Sequence, residues 1–213
     1  MINMNKLILF PILIAITAVV LTSFMLISDD TSETQSEPIL NAGFTYYDIE
    51  TIQKTLAQKN VTVSAPTAIT DHTVKEYCTF FDKGLPRTVD YCTTTAVMDS
   101  EGNTLGNINM GGDTNSPIMA VANLETFTLE SNREDVFAVF ETMIETLVCD
   151  CWEEEQSEDF ESISAWIDVV QTFYHDSGNR NIKSKVDNLG DTEIFLEITT
   201  KENSVLQTLV ILK

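Results

Sequence analysis

Between Leu7 and Ile27 the chain runs for 21 residues, LILFPILIAITAVVLTSFMLI, without a single charge. No other stretch limits the architecture so sharply. As an α-helix rising about 1.5 Å per residue it would measure roughly 31 Å, enough to cross a hydrocarbon core of about 30 Å. Pro11 falls within the first turns of such a helix, where a missing N–H costs least. Lys6 precedes the run, and Asp29 and Asp30 follow it. The positive flank stays inside, which sends the remainder of the chain out of the cell membrane. A cleaved signal peptide is the competing reading, but its apolar region spans about 7–15 residues and closes on small residues. Leu26-Ile27-Ser28 is a poor match to that pattern.

The expected organisation follows. Residues 1–6 form a cytoplasmic stub and residues 7–27 a transmembrane signal anchor. Residues 28–43, SDDTSETQSEPILNAG, are polar and read as a flexible acidic tether. Residues 44–213 have the size of one ordinary exported domain. All 33 Asp and Glu lie beyond the span with 11 of the 12 Lys and Arg, so the exported part carries 22 net negative charges. That balance excludes nucleic acid as a partner and disfavours anionic lipid surfaces. It leaves basic proteins, divalent cations or simple solvation.

Within the domain, Thr45-Tyr46-Tyr47-Asp48 has capping-box spacing, and Ile49, Ile52 and Leu56 continue at helical intervals, so a helix is expected over 45–59. TVKEYCTFF and VDYCTTTAVM flank the turn-forming DKGLPRT and predict a hairpin centred on Leu85, with Cys78 opposite Cys92. Val74, Cys78 and Phe81 would also suit a helix. AVMDSEGNTLGNINM and PIMAVANLETFTLE extend the reading to three or four antiparallel strands. Ser131-Asn132-Arg133-Glu134 forms a capping box ahead of an apolar face that runs from Val136 to Val148. A second helix is expected from about Ser157 to Asp176, with Gly178 at its C-terminal end. NIKSKVD, EIFLEITT and SVLQTLVILK then return to strands. The predicted fold class is α+β: a largely antiparallel sheet covered by a helix pair, behind a single N-terminal transmembrane helix.

The chain has four cysteines, Cys78, Cys92, Cys149 and Cys151. Outside the cytoplasm an even count implies disulfides. Three pairings are open. A bond from Cys78 to Cys149 would close about 70 residues and contribute roughly 4 kcal/mol on the chain-entropy model, which favours bonds bridging sheet and helices over local ones. The same four thiols are also the candidate metal set, although neither pair shows the Cys-x₂₋₄-Cys spacing usual for zinc. A redox role for Cys149 and Cys151 is disfavoured, because helix C-terminal carbonyls, Asp150 and Glu153 all raise a thiol pKa.

Other constellations are weaker. Asn60-Val61-Thr62 matches the N-glycosylation pattern, making Asn60 a candidate acceptor in an exported segment. The acid-dense EEEQSEDFE, residues 153–161, reads as a solvated link, with Ca²⁺ as the sharper alternative. His175-Asp176-Ser177 holds the letters of a catalytic triad, but neighbouring residues cannot form its relay. Trp152 and Trp166, like Met98, Met110 and Met119, read as packing residues. No catalytic set or cofactor fingerprint is visible. The functional expectation is a membrane-anchored binding domain for a partner protein, an envelope component or a small ligand. The alternative is a metal-handling or thiol-redox accessory protein.

Overall fold

The computed structural model describes residues 43–69, 73–82, 85–149, 152, 160–189 and 191–213; the Leu7–Ile27 span lies outside them. Among the described residues no helix is long and apolar enough to cross a membrane. Gly43–Lys213 forms one compact unit. It is α+β, with four helices among the described residues and an antiparallel sheet.

Helix α1, Asp48–Gln58, buries Ile49, Ile52 and Leu56 on one face. Its start realises half of the expected capping box: the Asp48 carboxylate reaches back to accept from the Thr45 N–H at 2.5 Å. Strands β1, Thr62–Val63, and β2, Thr67–Ile69, follow. Both escape sequence reading, because two or three residues are too few to carry a period. Both pair with β5, Tyr91–Met98.

The segment expected as the first arm of a hairpin divides instead. Val74–Tyr77 is a short helix, α2, and Cys78 ends it. Only Thr79–Asp82, β3, and Leu85–Thr88, β4, make the hairpin, with Asp82 opposite Leu85. The turn is thus centred ahead of Leu85, and Cys92 lies beyond the hairpin on β5.

Strands β6, Thr104–Gly112, and β7, Pro117–Thr126, complete a first meander with β5. Strands β8, Ile182–Leu189, β9, Thr192–Thr200, and β10, Val205–Leu212, make a second. The meanders join where β10 pairs with β7, giving the order β1-β5-β6-β7-β10-β9-β8, with β2 also on β5.

Between the meanders lie α3, Arg133–Leu147, and α4, Ile163–Asp176. The capping box ahead of α3 is replaced by tertiary bonds. Asn132 adopts a left-handed conformation (φ 55°), and its amide donates to Asp99 at 2.8 Å. Ser131 pairs with Thr128 rather than with the helix. Helix α4 begins later than expected: Ser162 caps it by accepting from the Ala165 N–H, and Phe160 precedes it, its carbonyl accepting from Trp152 at 3.1 Å. Its C-terminal glycine is as expected, Gly178 having φ 76°.

Alternation along the strands separates two cores. Ile108, Ala122, Leu196 and Leu209 face α1, α3 and α4, so three helices rather than a pair cover that side. Trp166, fully buried, anchors this layer and donates to Ser184 at 2.9 Å. On the opposite face a smaller cluster gathers Val74, Val89, Met119, Val121 and Leu212 around a Cys78–Cys92 disulfide. The bridging pairings favoured by loop closure are therefore excluded. Gly111 lies opposite Cys92. A β-carbon there would stand 2.8 Å from Val89 and 3.1 Å from the Cys78 sulfur, so glycine is what lets the cross-link lie flat on the sheet.

Candidate functional site

Helix α1 and the sheet edge diverge to leave an open cleft of about 950 Å³. Residues three and four apart share a helical face. Glu50, Gln53 and Lys54 of α1 accordingly form one wall, extended by Tyr46 and Tyr47 just ahead of the helix. Opposite them stand Tyr91 and Thr93 of β5, while Ala65, Pro66 and Ala68 line the flank along β2. Thr114 and Asn115, in the β6–β7 turn, close one end. The small flank residues leave the cleft wide.

Tyr46 organises this arrangement. Its ring stands edge-on to Tyr91, with centroids 5.2 Å apart. Its hydroxyl donates to the Asp113 carbonyl at 2.8 Å. Burial first, then the neighbouring Tyr91 and Asp113, push that hydroxyl up to about 12, so Tyr46 is a neutral donor at any physiological pH. The Asp113 carboxyl is held below its ordinary range by the N–H groups of Asn115 and Ser116, which it accepts at 2.7 and 2.8 Å. The same bonds shape the turn that carries Asn115. Gln53 donates to the Ser64 carbonyl, tying α1 to the strand edge. Tyr47 is 79% exposed at the rim.

A second constellation surrounds Asp99, which is buried between the β5–β6 turn and α3. Burial alone would raise its pKa. The N–H and side-chain amide of Asn103, the Glu101 N–H and the Asn132 amide outweigh that and lower it. Asp135 in turn accepts from the Ser100 N–H and hydroxyl. Every one of these bonds is internal, so the carboxylates stitch turn to helix.

The residues singled out from sequence are scattered. Cys78 and Cys92 are fully buried and bonded to each other, so neither is a thiolate ligand here. Cys149 is half-buried and also disulfide-bonded, while Cys151 lies outside the described residues. Asn60 is exposed just past α1, in a left-handed turn with φ 63°, beside a hollow lined by Lys59, Ser100 and Asp135. His175 and Asp176 are exposed with 3.6 Å between Nδ1 and Oδ1, while the Ser177 hydroxyl donates to the Tyr174 carbonyl, so no relay forms. Residues 153–159 of the acidic run and His72 lie outside the described residues. Among the described residues no group of three His, Cys, Asp or Glu is placed to hold a metal.

The cleft itself was missed by sequence reasoning. The available signal was the polar face of α1, where Glu50, Gln53 and Lys54 recur at helical spacing behind its buried face, with Tyr46 and Tyr47 just ahead of it. No protein-family model, curated protein or solved structure matches this chain.

Proposed function

We propose that this chain is a membrane-anchored extracytoplasmic binding protein. Leu7–Ile27 is the anchor, residues 28–43 are the tether, and the α1–β5 cleft is the site that holds the ligand. The cleft carries this reading. Ligand sites are concave, rich in aromatic surface and supplied with a few placed polar groups, and the lining here combines three tyrosines with Glu50, Gln53 and Asn115. Among the described residues its lining holds no histidine or cysteine, which suits holding better than chemistry. The buried Cys78–Cys92 bond fits an oxidising exterior. The metal-handling or thiol-redox alternative rests on Cys149 and Cys151, and Cys149 follows a helix C-terminus where partial negative charge disfavours a thiolate.

Two measurements on intact cells test the proposal. External protease should digest the domain while the stub stays protected. A photoreactive benzoylphenylalanine replacing Tyr47 should give a discrete adduct, and the same group replacing exposed Glu202 should not. A protease-resistant domain would remove the topology, and equal labelling at both positions would remove the site.

A further inference from the structure

We propose that the α1–β5 cleft takes a neutral oligosaccharide, an inference that rests on the cleft being the binding site. Charge is the first argument. The cleft presents Glu50 and Lys54, one of each sign, and so offers no net ionic anchor. The exported part, with 22 net negative charges, repels polyanions. A ligand bound here is therefore held by shape, apolar contact and hydrogen bonds.

The second argument is the chemistry of the walls. A sugar ring has an apolar C–H face and a rim of hydroxyls, each both donor and acceptor. Tyr47 supplies a broad ring, 79% exposed at the mouth, on which such a face can stack. Glu50 supplies acceptors, Lys54 donors, and Asn115 both. The Gln53 amide nitrogen is engaged by Ser64, which fixes the side chain and leaves its carbonyl as an acceptor. The Tyr46 hydroxyl stays protonated and engaged, so that ring is a fixed wall rather than a charged group.

The third argument weighs the occupants. A peptide adding as a strand needs a run of free main-chain donors along the edge. Among the described residues strand β2 spans three, and it is preceded by Pro66, which has no N–H. A small quaternary cation would want a closed aromatic cage without a lysine, whereas this cleft is open, contains Lys54 and measures about 950 Å³. Its size suits several linked rings.

The test uses the full chain in nanodiscs and saturation-transfer NMR with chitotetraose, cellotetraose and maltotetraose. At least one sugar should bind saturably. Tyr47→Ala should weaken that binding about tenfold and Tyr47→Phe by less than about twofold, with Glu202→Ala unchanged. Absence of saturable binding by all three sugars overturns the inference, as does binding indifferent to Tyr47→Ala. If the sugars fail while the photoreactive group at position 47 still labels a discrete component, the glycan assignment falls and the binding site stands. If both fail, both fall.

Discussion

The two faces of the sheet are stabilised by different means. On the helix side, α1, α3 and α4 lay large side chains over the strands, and Trp166, Phe140, Ile108 and Leu124 are fully enclosed. On the other side, among the described residues, a helix of four residues packs on the sheet through Val74, and a disulfide joins Cys78 at its end to β5. Where buried area suffices, the sequence shows periodic apolar residues; where it does not, a covalent bond takes over. At the edge of the disulfide cluster the Phe195 ring packs against it and lies under Lys183 and Lys185.

The largest expected effect tests the helix side. Trp166→Ala removes a fully buried ring and its bond to Ser184 and should cost about 3–5 kcal/mol in urea unfolding. A loss under about 1 kcal/mol would mean the helix layer is not the principal core. Next, Cys78→Ala with Cys92→Ala opens a link between residues 14 apart. It should cost about 3 kcal/mol on the chain-entropy model, with the loss concentrated in hydrogen-exchange protection of α2 and β5. Uniform loss across both faces would erase the distinction drawn here.

A third prediction concerns pH. Asp99 has its folded pKa lowered from 3.8, so its stabilising contribution is fully present above that value and is lost as pH falls through the lower, folded value. The gap in unfolding midpoint between the native chain and Asp99→Asn should therefore hold from pH 7 to about 4 and shrink below pH 3.8. A gap that widened on acidification would reverse the assignment. The smallest effect belongs to the edge of the disulfide cluster. Lys183→Ala removes a cation 4.5 Å from the Phe195 ring and should change stability by about 0.5 kcal/mol or less.

Legibility in the sequence follows the same division. Helix α3 and the C-terminal strands were readable because Val136, Phe140, Met143 and Leu147, or Ile194, Leu196 and Ile198, repeat at the period of their element. Val74-Lys75-Glu76-Tyr77 was misread as strand: its β-branched and aromatic residues suit both states, and the disulfide settles the position of a helix too short to stand alone. Loop-closure entropy pointed to bridging disulfides, but that argument ranks stability and is blind to which sulfurs the fold brings together. The cleft was hidden for a related reason. Its walls come from α1, β2, β5 and the β6–β7 turn, and only tertiary pairing at the β5 edge assembles them.

Lys213 carries one more consequence. Its ammonium donates to the Phe44 carbonyl at 2.6 Å and lies over the Phe44 ring, while Gly43 leaves room for its stem. Lys213 follows directly on β10, which is hydrogen-bonded along both sides, to β7 and to β9. The main chain at Phe44, ahead of α1, is thus tied by a side-chain bond to the end of a strand that is paired on both sides.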